Sequence, residues 1–458
     1  MLRATLMTTP AQPRETDRMD VDGLRAGARD VVFRLLDGPA GAYVHIPFCA
    51  RICSFCPYNK VQAEAALAER YFAALAQEVE AVAAAHAERF GASFSSLYIG
   101  GGTPTLYLDA LTSLLARLPT TGERAVEVLP TRGSAGQLDR LAQMGVTAVS
   151  IGAQSFDDAV LHHLGRPHDA ASALAAIEHA VGRFECVDAD LIVDVALEEP
   201  GEGAVARPDA FLADMESCFA RGVDQVSAYP LMRFGYTPFG RSRHVRRREH
   251  TVLARATALA ERMGYERRSV WTFNRRDGTP YTSITRRRFL GMGAGATSAT
   301  GRDFLVNHFG VRAYAAAVEA GRLPVARRLH LGRWAGAAYE TFWQAYAGRV
   351  TPATLTGAYG PAVASTTRAL LEPARLTGLL RRRGDSLRLT RRGFDAYHDL
   401  ERAVTYQLIE PLWTQMLREH DASGTPWADP GRGRRGVVWP IASRALERPA
   451  ALGGSQRA

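Results

Sequence analysis

The first half of the chain repeats one pattern, in which a short apolar run is followed by a longer amphipathic stretch. Six runs rich in Val, Ile and Leu predict buried strands, and they lie at residues 42–48, 95–100, 125–129, 147–152, 187–195 and 224–231. Each run is followed by residues with apolar positions at helical spacing, such as Leu67, Tyr71 and Leu75 after the first. Strands and helices in strict alternation predict a parallel sheet covered by helices.

The number of repeats limits the choice of architecture. Six strand-helix units are fewer than the eight of a closed barrel. The periodicity fits an open, partial barrel, and it also fits a doubly wound sheet. The fold class is therefore α/β, with these two arrangements left open.

The pattern changes after residue 240. The glycine-rich segment 289–301 is predicted to be a loop, and residues 351–420 predict helices around a hairpin at 384–393. This last unit resembles a small winged-helix domain, which either packs as a lid or binds DNA. The predicted organisation is an N-terminal arm at 1–38, a core at 39–240, a core extension with connecting helices at 241–350, a C-terminal domain at 351–420 and a disordered tail at 421–458.

The overall composition is that of a globular protein. The chain has 458 residues, of which 47% are hydrophobic and 22% are charged. No apolar run approaches the ~20 residues of a membrane span, and the first twenty residues lack the apolar stretch of a secretory signal. We therefore expect a cytoplasmic protein without a membrane partner.

The charge balance is basic, with a formal net charge of +9. Among the 56 basic residues, Lys60 is the one lysine. Such uniform arginine usage is typical of coding bias, which weakens the case for a nucleic-acid partner. The remaining interpretation is a surface field that attracts an acidic ligand.

Three of the five cysteines fall within eight residues, at Cys49, Cys53 and Cys56. Three thiolates can hold three irons of a cubane cluster and leave the fourth iron open to another ligand. The alternative is a zinc site completed by His45, but the position of this histidine within a predicted strand argues against it. The spacing therefore predicts three cysteine ligands of a [4Fe–4S] cluster.

A run of three glycines, Gly100–Gly102, ends the second predicted strand. Because the cysteine segment also follows a strand, both motifs are expected at the carboxyl end of a parallel sheet, where such proteins build their sites. Backbone without Cβ atoms lets a ligand approach closely. Alone the run would indicate a tight turn, but beside the cysteines it predicts the floor of a ligand site.

These residues resemble a known family. The segments YVHIPFCARICSFC (43–56) and YIGGGTPT (98–105) are similar to the radical S-adenosylmethionine (SAM) superfamily. Within it they resemble the oxygen-independent coproporphyrinogen III oxidase-like, or HemN-like, branch. Further motifs match that branch in order, namely VEVLP (126–130), SIGAQSF (150–156), GRPHD (165–169), DADLI (188–192) and GMGAGA (291–296).

The resemblance implies a partial (β/α)6 barrel that holds a [4Fe–4S] cluster and two SAM molecules. The cluster would chelate one SAM through its open iron, donate one electron and generate a 5′-deoxyadenosyl radical. The implied cofactor contacts are Tyr43 near the cluster, Phe55 at the adenine, Gly101, Gly102 and Thr103 at the methionyl end, and Glu127, Gln154, Arg166 and Asp190 at the ribose and charged groups. Glu127 has the alternative role of a buried, paired carboxylate.

Two substitutions separate the chain from genuine coproporphyrinogen oxidases. Tyr58 stands where that branch has a further cysteine, and Pro57 stands where it has glycine. The strand end after DLI, at 193–201, is also altered. These departures favour the HemN-like (class C) methyltransferases and cyclopropanating enzymes of antibiotic and other natural-product biosynthesis.

The expected reaction therefore adds a SAM-derived one-carbon unit to an sp² carbon of an aromatic small molecule. The alternatives are porphyrin decarboxylation or haem-ring methylation, a haem or cluster carrier without turnover, and a zinc-dependent DNA-binding protein. The expected partners are a one-electron reductant, flavodoxin or ferredoxin, and a partner methyltransferase.

Lys60 lies four residues after the last cluster cysteine. Its compact, flexible charge is not reproduced by the planar fork of arginine. We therefore predict a catalytic contact between Lys60 and SAM or the substrate, against the alternative of accidental retention.

Overall fold

The structure, a computed structural model, describes residues 23–91, 93–193, 195–197, 205–206, 208–241, 246–277 and 288–421. Its strands are β1 Gly41–Ile46, β2 Phe48–Cys49, β3 Val61–Gln62, β4 Leu97–Gly101, β5 Arg124–Val128, β6 Ala148–Gln154, β7 Cys186–Val193, β8 Ala196–Leu197, β9 Val205–Ala206, β10 Gln225–Pro230, β11 Tyr265–Arg267, β12 Thr272–Arg275, β13 Arg288–Met292, β14 Thr297–Thr300, β15 Asp303–Asn307, β16 Val325–His330, β17 Arg349–Val350, β18 Leu380–Arg383 and β19 Ser386–Leu389.

The α-helices cover the sheet and build the C-terminal part of the chain. They are α1 Leu24–Asp30, α2 Ala65–Phe90, α3 Leu108–Arg117, α4 Ser134–Gln143, α5 Asp158–His163, α6 Ala170–Ala180, α7 Pro208–Ala220, α8 Arg246–Arg262, α9 Val311–Glu319, α10 Arg333–Tyr346, α11 Pro352–Tyr359, α12 Pro361–Leu376, α13 Arg391–Val404 and α14 Glu410–Asp421.

The six predicted strands form the parallel core of a single sheet. They are neighbours in the order β1-β4-β5-β6-β7-β10, and every pair is parallel. Chain order and spatial order run in the same direction, without the reversal that defines a doubly wound sheet. This confirms the α/β fold class and the partial, TIM-like barrel that the resemblance implies, and it excludes the doubly wound sheet that the periodicity alone left open.

The sheet continues beyond these six strands at both ends. β13 pairs in parallel with β1, and β14, β15 and β16 follow it as antiparallel strands. At the other end, β12 and β11 extend the sheet antiparallel from β10. The resulting sheet of twelve strands is open, since β11 and β16 are its two edges.

The prediction of a loop at 289–301 is wrong, because this segment contains β13 and β14. Leu290 and Met292 are buried in the main core. A Cβ atom on Gly291 would lie 2.0 Å from the carbonyl oxygen of Thr297, so glycine here permits the close approach of two strands. A glycine-rich segment that resembles a flexible loop in the sequence is therefore a place where two strands pack closely.

The described part of the predicted N-terminal arm, residues 23–38, is largely helical. Within it, α1 is continued by a π-helical turn at Val31–Leu35, and Ala28 and Val32 are completely buried. These residues belong to the main core together with apolar residues of α2. The arm therefore covers one side of the sheet from residue 23 onward.

A hairpin is present as β18 and β19, at 380–389 rather than at the predicted 384–393, because residues 391–393 already belong to α13. β17 joins it as a third strand. Its buried leucines, Leu380 and Leu387, share a core with Trp271 and Tyr346. The inner face of the hairpin therefore packs against the rest of the protein. Residues 422–458, almost all of the predicted tail, lie outside the described residues.

No helix among the described residues combines the length and the apolar character that a membrane crossing requires.

Candidate functional site

A cavity of about 630 Å³ opens at the carboxyl ends of the parallel strands. This is the end at which parallel α/β proteins place their sites, because loops from several strands converge there. All the residues predicted for the site line it, namely Tyr43, Cys49, Cys53, Phe55, Cys56, Lys60, Gly101, Gly102, Thr103, Glu127, Gln154, Arg166 and Asp190. The fold thus brings together residues that are up to 147 positions apart in the chain.

The three cysteines lie at the start of one loop, residues 49–60, which we call the cysteine loop. It leaves the sheet after Phe48 and returns where Val61 pairs with that residue in parallel. The loop is held internally by Lys60, whose ammonium donates to the carbonyl oxygens of Cys56 (2.5 Å) and Tyr58 (3.2 Å). Lys60 is therefore buried beneath the loop, with its charge beside the thiols.

Each of two thiols has a donor from another part of the barrel. The Thr103 hydroxyl lies 3.9 Å from the Cys49 Sγ, and the Arg166 guanidinium donates to the Cys53 Sγ at 3.4 Å. Burial raises the pKa of the Cys49 thiol to about 12. Ligation to iron requires the thiolate, and the nearby cations Lys60 and Arg166 favour that charged form.

The kind of donors present fits an iron–sulfur cluster. Cys49, Cys53 and Cys56 line one cavity as three free thiols from one loop, and three thiolates can hold three irons of a [4Fe–4S] cluster. Among the described residues, no three His, Cys, Asp or Glu side chains are placed to hold one metal ion. His45 cannot complete a zinc site, since both ring nitrogens already have partners in Tyr43 and Asn59.

The glycine run packs directly against the start of the cysteine loop. Gly101 has a φ of +124°, and a Cβ there would lie 2.7 Å from the Ile46 carbonyl oxygen. A Cβ on Gly102 would lie 2.5 Å from the Phe48 carbonyl oxygen and 2.9 Å from the Cys49 Sγ. The sequence predicts that these glycines let a ligand approach the backbone. The structure shows in addition that the protein's own backbone lies where their Cβ atoms would be.

Two buried carboxylates form one wall of the cavity. Glu127 accepts hydrogen bonds from the Tyr98 hydroxyl and from the Gly101 amide (3.0 Å), and Asp190 accepts one from the Ser150 hydroxyl at 2.7 Å. Burial raises the pKa of Glu127, and burial together with the neighbouring Asp188 raises that of Asp190. Glu127 therefore has the internal partners of its alternative structural role, while it also lines the cavity.

Arg166 and Gln154 line the cavity beside Gly152, near the end of β6. The Arg166 guanidinium donates to the Gly152 carbonyl oxygen at 2.6 Å, and among the described residues its buried Nε has no hydrogen-bond partner. Gln154 has a φ of +69°, the one positive value of a non-glycine residue in the described chain. Such strain at the end of β6 is typical of a residue whose side chain is held for function.

Sequence reasoning missed the partner that orients Tyr43. His45 lies two residues farther along β1, on the same face of the strand. The His45 Nε2–H donates to the Asn59 carbonyl oxygen (2.9 Å), so Nδ1 accepts from the Tyr43 hydroxyl at 2.7 Å. Burial lowers the pKa of His45 to about 4, which keeps the ring neutral. The signal available in the sequence was the spacing of two residues between Tyr43 and His45 within a predicted strand.

Sequence reasoning also missed the far end of the cavity. Aromatic and apolar side chains from distant elements line it, namely Tyr229, Met232, Phe289, Phe304, Phe309, Tyr339, Trp343, Ile409 and Trp413. Trp413 comes from α14 and packs against Tyr58, with ring centroids 5.9 Å apart. None of the described lining residues after Asp190 carries a charge. We call this region the aromatic end, and it suits a planar, apolar molecule.

Comparison with known proteins identifies the part of the chain that carries the cysteines. Residues 43–195 match the family model of the Radical SAM superfamily. This region is a radical SAM domain. It begins at Tyr43 on β1 and ends just after β7, so that the match contains all thirteen predicted site residues.

Two curated relatives match a part of this chain. The heme chaperone HemW of Bacillus subtilis is 34% identical over 33% of this chain and 41% of its own length. The oxygen-independent coproporphyrinogen III oxidase of Salmonella typhimurium is 35% identical over 37% of this chain and 38% of its own. The chain thus spans about two fifths of the length of these relatives.

A solved structure is similar over a larger part of the chain. Coproporphyrinogen III oxidase (HemN) from Escherichia coli superposes with a TM-score of 0.67 and covers 81% of this chain and 91% of its own. At 22% sequence identity, this likeness concerns the fold. The barrel and its extension are therefore shared with HemN.

Proposed function

We propose that this protein is a radical SAM enzyme that acts on a planar, conjugated molecule. One observation carries the proposal: three thiols, a glycine floor, two carboxylates and an arginine face one cavity that ends in aromatic side chains. A [4Fe–4S] cluster on Cys49, Cys53 and Cys56 would supply the electron for reductive cleavage of SAM. The family of the matched domain supports both the cluster and SAM.

In this proposal the chain's own residues bind and orient SAM. Glu127 and Asp190 can accept hydrogen bonds from ribose hydroxyls, and the free Nε of Arg166 can donate to a carboxylate. The Tyr43 hydroxyl also lines the cavity and donates its hydrogen bond to His45 Nδ1, which leaves the phenol oxygen as an acceptor.

Porphyrin chemistry is the first candidate for the substrate. The relatives are named as coproporphyrinogen oxidases and heme chaperones, and these names favour the porphyrin alternative over the predicted one-carbon transfer. The aromatic end offers rings on several sides for stacking on a macrocycle. A chaperone role, in which haem is bound without turnover, belongs to the same class of ligand.

One-carbon transfer to a smaller aromatic molecule is the second candidate, and a specific observation favours it. Tyr58 stands where the coproporphyrinogen oxidase branch has a further cysteine, and its ring lines the cavity against Trp413, with ring centroids 5.9 Å apart. This departure supports a relative of that branch with a different substrate. This candidate requires a second SAM beside the first, with Glu127, Gln154, Arg166 and Asp190 as the residues that would hold the ribose and charged groups of the two.

Isotope labelling tests the proposal and separates the candidates. Reconstituted protein is incubated anaerobically with dithionite and methyl-deuterated SAM, with and without coproporphyrinogen III, and the nucleosides are analysed by mass spectrometry. Unlabelled 5′-deoxyadenosine together with loss of CO2 from the porphyrinogen would establish the first candidate. Deuterium in 5′-deoxyadenosine would favour the second, in which the methyl group of another SAM donates hydrogen.

The Cys53→Ala variant is the control for both outcomes, because it removes one thiol and leaves the aromatic end unchanged. Absence of 5′-deoxyadenosine from the wild-type protein with a complete cluster would overturn the proposed enzyme. Binding of haem under the same conditions would then support the carrier without turnover.

A further inference from the structure

A fully buried carboxylate outside the cavity holds the segment between β13 and β14. Glu78, on α2, is 2% exposed. Its Oε2 accepts from the Gly293 amide at 2.8 Å and from the Tyr314 hydroxyl, and its Oε1 accepts from the Asn307 side chain at 3.0 Å. The Glu78 carboxylate therefore joins α2 to residues 293–296, to β15 and to α9. We call residues 293–296 the glycine bridge.

The glycine bridge is pressed against the end of β1. The Tyr71 hydroxyl donates to the His45 carbonyl oxygen at 2.5 Å and accepts from the Ala294 amide at 3.1 Å. A Cβ on Gly293 would lie 2.4 Å from the same His45 oxygen, and its φ of +101° also favours glycine. The bridge thus supports the strand that leads into the cysteine loop.

The far end of the cysteine loop is attached to the same bridge. The buried Asn59 side chain donates to the carbonyl oxygens of Ala294 (3.0 Å) and Phe309 (2.9 Å). The Asn59 carbonyl oxygen accepts from His45 Nε2, which ties this end of the loop back to β1. Both ends of the cysteine loop are therefore held by contacts that run through the glycine bridge.

We propose that Glu78 is a positioning residue for the cysteine loop. It fixes the glycine bridge, and the bridge fixes the loop through His45 at one end and Asn59 at the other. At pH 8, where Glu78 is ionised, replacement by glutamine keeps the size but turns one acceptor into a donor, which then faces an N–H or O–H donor. The positioning itself is a property of the protein, and its consequence for SAM cleavage rests on the proposed function.

Hydrogen exchange followed by mass spectrometry tests the positioning on the full-length protein without any ligand. Glu78→Gln should speed amide exchange both in peptides covering 293–309 and in peptides covering 49–60. Asn59→Ala should speed exchange in 49–60, and the double variant should exchange there no faster than the faster single variant, because both act through one path.

Glu249→Gln is the matched control, since Glu249 is also a buried helical carboxylate but bonds His398 and Arg402. It should leave both peptides unchanged. Faster exchange confined to 293–309, or spread equally over the barrel strands, would overturn the positioning role. If Glu78→Gln does not fold, Tyr314→Phe removes one donor and should produce the same pattern more weakly.

A second measurement connects the positioning to catalysis. In reconstituted enzyme with dithionite and SAM, Glu78→Gln should lower kcat for 5′-deoxyadenosine formation about tenfold, with KM for SAM within about twofold. The reason is that Glu78 touches the loop's support and does not line the cavity. An equal change in KM would contradict the inference. A wild-type enzyme without 5′-deoxyadenosine would refute the proposed function alone, because the exchange result does not depend on turnover.

Discussion

Replacing Gly102 by alanine tests whether the glycine floor is required by the protein's own packing. The added Cβ would lie 2.5 Å from the Phe48 carbonyl oxygen, whereas ordinary contacts begin at 3.4 Å. The backbones at Gly102 and Phe48 must therefore move apart by about 1 Å, and overpacking of this kind costs about 1–3 kcal/mol of folding free energy. Because the Cys49 Sγ lies 2.9 Å from the same Cβ, the separation also displaces a cluster ligand.

Thermal unfolding of the protein and the iron content after reconstitution measure the two consequences. Gly102→Ala should lower the unfolding temperature by a few degrees and reduce the iron bound per chain. Gly136→Ala is the control, because a Cβ there meets nothing within 4 Å and α4 favours alanine by about 0.5–1 kcal/mol. If Gly102→Ala behaves like this control, the packing argument is refuted.

Three further predictions concern single side chains. Cys53→Ala should abolish the iron–sulfur absorbance at about 400 nm and all SAM cleavage. A variant that keeps both would contradict the cluster assignment. Lys60→Arg should reduce both cluster loading and turnover, because the larger guanidinium displaces the Cys56 and Tyr58 carbonyl oxygens that Lys60 bonds within the cysteine loop; unchanged loading and kinetics would favour accidental retention. Burial raises the pKa of Glu78 from 4.5 to about 7, so the native state retains a proton that the unfolded state loses, and stability should fall as pH rises between these values. This loss amounts to about 3 kcal/mol at most, and urea unfolding at pH 5 and 7 should show it to be smaller in Glu78→Gln.

Much of the candidate site was predictable because its signals are local. The spacing of Cys49, Cys53 and Cys56 places three thiols on one loop whatever the surrounding fold. The positions of Glu127, Gln154 and other residues came from the resemblance, and the structure places them all in one cavity. Their contacts with SAM stay predictions.

The aromatic end could not be predicted from the sequence. Its residues come from β10, β13, β15, α10, α14 and the segments next to them, and no local pattern connects Tyr58 with Trp413. Such neighbours are decided by how helices and strands pack, because periodicity records which face of an element is buried but not what covers it. The same limit explains the error at 289–301, where glycine composition resembles a loop.

The sequence by itself determined the alternation of strands and helices, the three thiols and their place after the first strand. Period-two and period-3.6 apolar patterns reflect burial, which each segment specifies locally. Apolar periodicity left the order of the strands open, and only the family resemblance implied the partial barrel; the tertiary structure decides the strand order that confirms it. It also placed Arg166 against the Cys53 thiol, 113 residues away, and Glu78 beneath the glycine bridge. Those contacts depend on the register between distant strands, which is set by the packing of the whole core.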